Sequence, residues 1–537
     1  MNFGVLTSRS HAIAKAAGAV LILIALAAWA LASPVGASPD EEFHLTSVWC
    51  GHGLRDGGCE VGTDPATRTV PSALLEAPCY AFNADVSGAC QGTSFADSDV
   101  EMALTSRGNF TGDYPPVFYF FMSLFVGDDI PFSVVAMRLA NALLFVGLIA
   151  ATYLASPPGL RRPLLGGIAV TVVPLGMFIL PSINPSSWAL VSAATFLVSV
   201  LGYMTSENRV RRLVLGALAG ISLLVGAGAR ADAAMYAVLA VVVALILAVR
   251  SGRHHLRRAI YPVILAIIAG LAYLSTGQSS ALEETSAQAF SLSRLARVLI
   301  GVPDLWVGAL GKWGLGWLDT IMPPVVWVAA FGVFVATLCV AMNGAGVRRA
   351  LGLGVVALAA WMVPAYVQYL SGAPVGAYVQ PRYILPLLTL LAVTAMVRLE
   401  GTAFRLTHTQ RWVPVLALSA ANAVALYVNL RRYVTGFDVD SLNLNAQVEW
   451  WWGGPVSPLA LWIAGSLAFA LGLVLLSSEM TSVAAAGEEP EPRGPDAGAE
   501  GDGAKAVDAS SAATHPQEPR VSLPNGDAGD PPHGGVR

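Results

Sequence analysis

Apolar runs separated by charged or polar residues recur along most of this chain. Twelve can be counted, at roughly 12–34, 131–155, 164–182, 186–204, 213–229, 233–249, 259–275, 322–342, 350–370, 383–397, 411–429 and 457–476. Most approach the ~20 residues an α-helix needs to cross the hydrocarbon of a bilayer. The pattern predicts an all-α integral membrane fold of about twelve transmembrane helices. A long polar stretch, 36–130, separates the first two runs. Within it, residues 114–126 (YPPVFYFFMSLFV) are apolar but too short to span, which suggests a re-entrant or interfacial helix. Residues 290–313 interleave Arg, Lys and Trp with aliphatics, the pattern of an amphipathic segment lying at the interface. Four regions follow: 1–35, the N-terminal segment and first helix; 36–130, the first loop; 131–476, the multi-span domain with loops near 276–321, 371–382 and 430–456; and the tail, 477–537.

Composition sharpens this picture. Hydrophobic residues make up 55% of the chain and charged residues 12%, with a mean hydropathy of +0.61, whereas soluble proteins carry about 25% charged residues. A soluble enzyme or a nucleic-acid binder is excluded. The formal charge of −4 is uneven: the tail holds eleven acidic and four basic residues, a net of −7, which leaves +3 for the rest. Rich in Pro, Gly, Ala and acid, the tail has little to bury and is expected to be a disordered acidic segment on the cytoplasmic side.

The first apolar run could instead be a secretory signal, with Arg9 and Lys15 before it and Ala30-Leu31-Ala32 resembling a cleavage site. Either way the loop behind it is exported. Four of the five cysteines, Cys50, Cys59, Cys79 and Cys90, lie in that loop, and an even cluster in a polar segment suggests disulfides in an oxidising compartment. Cys50–Cys59 and Cys79–Cys90 are the favoured pairs because short loops close at the least entropic cost. Other pairings, and two zinc-ligand pairs, remain as alternatives, although the spacings lack the usual C-x2-4-C form. The short connections that would face the cytoplasm are basic: Arg161 and Arg162; Arg209, Arg211 and Arg212; Arg250, Arg253, Arg257 and Arg258; Arg348 and Arg349; Arg398, Arg405 and Arg411. By the positive-inside rule this predicts a multi-pass protein of the plasma (inner) membrane, with its large loops and any chemistry outside.

Five groups of residues could carry that chemistry. Ser38-Pro39-Asp40-Glu41-Glu42-Phe43-His44 places three carboxylates and an imidazole where the chain leaves the bilayer, at the depth of lipid phosphates. Partial desolvation there suits a general base, while the bland reading is a solvated acidic collar. Thr111-Gly112-Asp113-Tyr114-Pro115-Pro116 leads into the short apolar helix and is more simply the start of that helix, with Asp113 and Tyr114 as its candidates. Asn184, in a turn before Pro185, reads first as turn chemistry. Arg138, Arg230, Lys312, and Arg382 beside Tyr383 place cations at the exported face, where a guanidinium suits a phosphate. Arg230 and Asp232 could equally neutralise each other. Finally, Glu449-Trp450-Trp451-Trp452 could stack on sugars, although interfacial anchoring is the better reading. The chain contains no P-loop, G-x-S-x-G elbow or HExxH motif, so nucleotide-driven pumping, serine-hydrolase and zincin chemistry lack support.

Asp40, Glu41 and His44; Tyr114-Pro115-Pro116; Arg138-Leu139-Ala140-Asn141; Ile183-Asn184-Pro185; and Arg382-Tyr383-x-x-Pro386 occur in an order and spacing that resemble a bacterial family of predicted membrane proteins within the C-type (GT-C) glycosyltransferase superfamily. The resemblance runs from about residue 20 to 476 and excludes the tail. It implies a GT-C-like fold, many helices with a large first exported loop bearing an acidic motif. It also implies transfer of a sugar, with inversion, from a polyprenyl-phosphate donor to an envelope glycan or protein acceptor. Asp40 would then be the catalytic base and Glu41 its neighbour or substitute, while His44 would orient the acceptor or contact the departing phosphate. Ser186 follows Asn184-Pro185 where many relatives carry an acid, so Asn184 is expected only as a structural or substrate-contacting residue. High Ala, Gly and Arg-over-Lys usage is that of a GC-rich bacterium, such as an actinobacterium with arabinan-type acceptors.

No cofactor is required by this reading. Mg2+ or Mn2+ held by carboxylate oxygens stays open, since Asp40, Glu41 and Glu42 as neighbours do not define a cage. A flippase of lipid-linked sugars and a noncatalytic envelope scaffold are the rival classes. The flippase would show internal repeats and polar residues at the membrane midplane, and no clear repeat is visible.

Overall fold

A computed structural model describes residues 3–92, 95, 101–250, 252–277, 291–372, 374–400 and 403–481, with side chains from residue 12 onward. The tail beyond 481, the side chain of Arg9 and residues 278–290 of the second large loop lie outside the described residues.

The apolar runs become helices. α1 (Phe3–Leu31) leads into the first loop, which contains α2 (Glu41–Trp49), α3 (Ser72–Glu76) and α4 (Val117–Ser123). Then follow α5 (Ile130–Ala155), α6 (Pro158–Ala169), α7 (Leu175–Ile179), α8 (Ser186–Thr205), α9 (Arg209–Ala227), α10 (Ala231–Ala248) and α11 (Arg253–Leu274). After the second large loop, with α12 (Leu292–Val307), come α13 (Pro324–Met342), α14 (Val347–Ser371), α15 (Pro381–Met396), α16 (His408–Val434) and α17 (Pro458–Thr481). Local chemistry sets many of the starts. Asp129 caps α5 by accepting from Phe132 N at 2.8 Å, with proline in the first turn. Thr407 and Gln410 form a reciprocal capping box on α16.

Among the described residues, ten helices are long and apolar enough to cross a membrane, and the chain is a multi-pass membrane protein. Two of the twelve expected spans differ. The run at 164–182 is broken into α6 and α7, with Pro174 at the break removing a backbone donor. The run at 383–397 becomes α15, only 16 residues long. α15 is buried on nearly every side, so its length is matched to neighbouring helices rather than to lipid. It shares the centre with α8, whose most apolar window is 89% buried against 28% for the peripheral α11. Several polar groups in this core are paired: Asn141 Nδ2 donates to Ser182 O at 2.7 Å and Trp188 Nε1 donates to Asn141 Oδ1 at 2.8 Å, whereas the hydroxyls of Ser199 and Thr394 have no partner among the described residues.

The all-α expectation needs one addition. Loop one contains a three-stranded antiparallel sheet, β1 (Glu60–Val61), β2 (Arg68–Pro71) and β3 (Met102–Thr105), with Arg68 opposite Thr105 and Pro71 opposite Met102. Short strands surrounded by polar turns are too weakly periodic to stand out in sequence. Both favoured disulfides are present, Cys50–Cys59 and Cys79–Cys90, while Cys339 is free on α13. The segment at 290–313 is helical through α12, with Leu292 and Ile300 exposed. At the bundle end opposite loop one, Lys15 Nζ and Tyr153 Oη each donate to Glu479 Oε2 at 2.8 Å, and Arg162 donates to the backbone oxygens of Glu479 and Phe404.

Candidate functional site

The segment joining α1 to α2 is held by its own carbonyls. Ten consecutive backbone oxygens, from Ala30 to Pro39, each accept a hydrogen bond. Arg138 on α5 donates to Ala30 O, Ser33 O and Pro34 O at 3.0, 2.6 and 2.7 Å. Trp452 Nε1 reaches Leu31 O at 2.7 Å, and Asn429 Nδ2 reaches Ala32 O at 3.1 Å. Tyr80 and Gln91 both donate to Val35 O, Trp317 Nε1 donates to Gly36 O, and Tyr433 donates to Ala37 O. Glu41 N closes on Ser38 O, and Asn184 Nδ2 donates to Pro39 O at 2.9 Å. Donors from six separate parts of the chain thus fix the backbone that ends at Asp40.

That rigidity lets Asp40 sit in the left-handed region, at φ 59° and ψ 22°, as the N-cap of α2. A non-glycine residue there is strained, and such strain persists only where the surroundings over-determine it. The turn sends adjacent carboxylates in opposite directions. Glu41 points inward and is fully buried; its carboxylate accepts from Ser38 N at 2.8 Å and pairs with Arg138 at 3.3 Å. Asp40 points outward, with 42% of its side chain exposed, and its Oδ2 accepts from Arg382 Nη2 at 2.6 Å. These partners are 342 positions apart.

Around this pair lies a cluster of rings and guanidiniums. Arg382 is otherwise buried in the first turn of α15 and also donates to the Tyr383 hydroxyl at 3.0 Å and to Gln380. Its Nε is buried with no hydrogen-bond partner among the described residues, as are Ser38 Oγ and Glu42 Oε2 nearby in sequence. The Tyr383 ring lies 4.4 Å from the Arg230 guanidinium and 4.8 Å from that of Arg382. Arg230 is bidentate to Asp232, at 2.9 and 2.8 Å, so the neutralising reading of that pair holds, yet it also lies 5.8 Å from the Tyr114 ring. Asn109 fixes Tyr114 by bonding both its N and its O. Arg107, at the end of β3, is 54% exposed, stacks on Phe43, pairs with Glu42 and approaches Asp40 to 3.9 Å.

Several sequence expectations are corrected here. Glu41 and Arg138 are sealed against each other and against backbone, so neither a catalytic role for Glu41 nor a substrate-binding one for Arg138 fits their surroundings. Asn184 is buried with both ends of its amide committed, to Pro39 O and Ser186 N, and acts as a support for the Asp40 turn. His44 is buried behind Asp40, hydrogen-bonded through Nδ1 to the Tyr119 hydroxyl at 2.9 Å and ringed by Phe43 and Tyr114. Burial first, then the charges of Arg382, Arg230 and Arg107, hold its pKa well below the usual value, so it is neutral at pH 7 and a positioning residue. Burial likewise raises the hydroxyls of Tyr114 and Tyr119. Lys312 pairs with Asp304 on α12, and no described contact joins it to Asp40. Asp113 is exposed and accepts from Thr111. Asp40, Arg382, Tyr383, Arg230 and Tyr114 are brought together by the fold. Glu449 accepts from Ser87 at 2.7 Å, and the three tryptophans pack on one another or bond to backbone, Trp451 to Val456 O and Trp452 to Leu31 O.

Sequence reasoning missed Arg107, one of only three basic residues between 36 and 130, and the donors to the Ala30–Pro39 carbonyls. It also missed Arg432, fully buried between Asp319, Tyr80 O and Val86 O, which ties α16 to both large loops. A rare cation in a long polar loop is the one signal that could have singled out Arg107. For a divalent ion the donors do not converge: Glu41 faces Arg138, Asp40 faces Arg382, and among the described residues no three His, Cys, Asp or Glu gather.

The fold and site are those of a multi-span membrane protein with a disulfide-bonded loop folded over one end of its helices. A family model of predicted membrane proteins, DUF2142, matches residues 23–391, and the chain belongs to that family. No curated protein and no solved structure matches the chain.

Proposed function

We propose that this protein is an inverting membrane glycosyltransferase of GT-C type, taking a sugar from a polyprenyl-phosphate donor and passing it to an envelope acceptor at the extracytoplasmic face. The observation that carries this reading is the meeting of Asp40 with Arg382: a half-exposed carboxylate held rigidly against a guanidinium at the end of the bundle where a lipid phosphate resides. Two disulfides in loop one support its placement on the oxidising side of the plasma membrane, and the arginine-rich short connections support the opposite side as cytoplasmic.

In this reading the phosphate oxygens take up donors of Arg382 and of Arg230, which frees the Asp40 carboxylate. Asp40 accepts the proton of the acceptor hydroxyl as that oxygen bonds to the anomeric carbon. The bond from this carbon to the phosphate oxygen breaks, and the electron pair leaves on the lipid phosphate, where the guanidiniums hold the added charge. His44 and Tyr119 keep α2 in place behind the carboxylate.

The test is transfer by the purified full-length protein in nanodiscs, supplied with radiolabelled polyprenyl-phosphate sugars and envelope acceptors. Product that depends on Asp40 is expected. Near-normal turnover by Asp40→Asn overturns the base assignment, and movement of the lipid-linked sugar across a vesicle membrane without a new glycosidic bond overturns the enzyme class in favour of a carrier.

A further inference from the structure

Loop one contains a cavity of about 270 Å3 lined in part by Tyr119, the hydrogen-bond partner of His44, and neither the family nor the proposed reaction assigns it a role. Its walls come from three places. The C-terminal turn of α2 supplies Ser47, Cys50 and Gly51; β2 supplies Arg68; and the chain after β3 supplies Asn109, Phe110, Pro116 and Tyr119. The Cys50–Cys59 disulfide stiffens one edge, and Leu54 stands exposed at the rim. A side chain at Gly51 would strike the carbonyl of Tyr119 at 2.6 Å, so glycine is what allows α2 to lie this close to α4.

The lining mixes aromatic faces with hydrogen-bonding groups. Phe110 and Tyr119 supply rings, and the Arg68 guanidinium lies 5.4 Å from the Phe110 centroid. Arg68 spends Nη1 on the carbonyls of Pro65 and Thr67, leaving Nη2 and Nε without a hydrogen bond among the described residues. Ring faces beside planar donors suit a pyranose or furanose, whose C–H surface stacks while its hydroxyls bond at the edge. A volume just under the ~300 Å3 at which small-molecule sites begin corresponds to one sugar ring with the remainder of a glycan outside. The cavity belongs to loop one, so it is reached from water, whereas a lipid-linked donor reaches Asp40 from the membrane.

We infer that this cavity, at the C-terminal end of the helix that begins at Asp40, is a carbohydrate subsite, holding one ring of the acceptor glycan so that the glycan's reactive hydroxyl reaches Asp40. The acceptor role rests on the glycosyltransferase reading; the binding of a sugar does not. Tyr119 lines the cavity and fixes His44 with its hydroxyl.

The experiment uses the full-length protein in nanodiscs and a panel of methyl glycosides of gluco-, galacto-, manno- and arabino-configuration, read by saturation-transfer NMR. At least one glycoside is expected to bind more tightly than about 10 mM. Leu54→Trp, at an exposed position on the lining, and Arg68→Gln are each expected to weaken it at least tenfold. No binding by any glycoside, or binding indifferent to both cavity variants, overturns the inference. Retained glycoside binding in a protein that performs no transfer sinks the enzyme reading alone. If transfer occurs, Leu54→Trp should raise KM for the acceptor and leave kcat intact; an unchanged KM overturns the acceptor assignment.

Discussion

Asp40 and Glu41 are neighbours in sequence, each faces an arginine, and the two pairs have opposite characters. The Glu41–Arg138 pair is almost fully buried, 0% and 3% exposed, with Arg138 giving its remaining donors to three backbone carbonyls. The Asp40–Arg382 pair is open on one side, has an unused guanidinium nitrogen, and is crowded by Arg107, Arg230 and tyrosine rings. A closed charge pair fixes a chain, and an open one can exchange its partner for a ligand. The difference arises from one backbone conformation, the left-handed turn at Asp40.

The comparison can be broken most severely at the two acids themselves. Asp40→Asn should lower transfer by about 10²- to 10⁴-fold, the usual contribution of a general base, while nanodisc-reconstituted protein keeps its thermal midpoint. Glu41→Gln should do the reverse in kind. Leaving the Arg138 charge without its acid partner should cost about 3–5 kcal/mol of stability, read as loss of folded yield and a lowered Tm, and adding Arg138→Met to Glu41→Gln should not restore it, because the carbonyls of Ala30, Ser33 and Pro34 then lose their donors. If Glu41→Gln instead folds normally and only transfer is lost, the roles assigned to the two acids are exchanged.

A smaller effect is expected at Arg382. Arg382→Lys keeps the charge but not the forked geometry, and should reduce transfer by roughly ten- to a hundredfold while Asp40→Asn adds little further in the double variant, because the two act as one unit. Additive losses would show that the arginine serves a separate step.

The smallest concerns pH. His44 is buried and neutral in the fold, with a pKa well below the 6.5 of a free imidazole. The unfolded chain therefore binds a proton that the folded one does not, so the His44 contribution is intact above about pH 6.5 and is lost progressively as the pH falls below that value. The Tm measured across this range should fall on acidification, and His44→Gln should flatten that slope. An unchanged slope would place the acid sensitivity elsewhere.

Much of the architecture was legible because it is written locally. Runs of apolar residues specify helices through their own periodicity, and the disulfides join cysteines 9 and 11 positions apart. Asp40, Tyr114, Arg230 and Arg382 could be singled out because charge or a polar ring at a membrane boundary is costly enough to demand a reason. That Arg138 is a support for the turn could not be seen, since an arginine bound to backbone and one bound to phosphate look alike in sequence.

By itself, then, the sequence determined a multi-span membrane protein, two staples in its first loop, and a short list of charged residues at one end of the bundle. Only the tertiary structure decided which acid is open and which is sealed, that α15 lies at the centre despite its 16 residues, and that Trp452, Asn429, Tyr80 and Trp317 hold the turn from 45 to 421 positions away. The physical reason is the range of the interactions. Hydrophobic periodicity, helix capping and short-loop closure act over a few residues and leave a local trace. Hydrogen bonds to a carbonyl ladder, and the sign of one φ angle, depend on where distant segments come to rest.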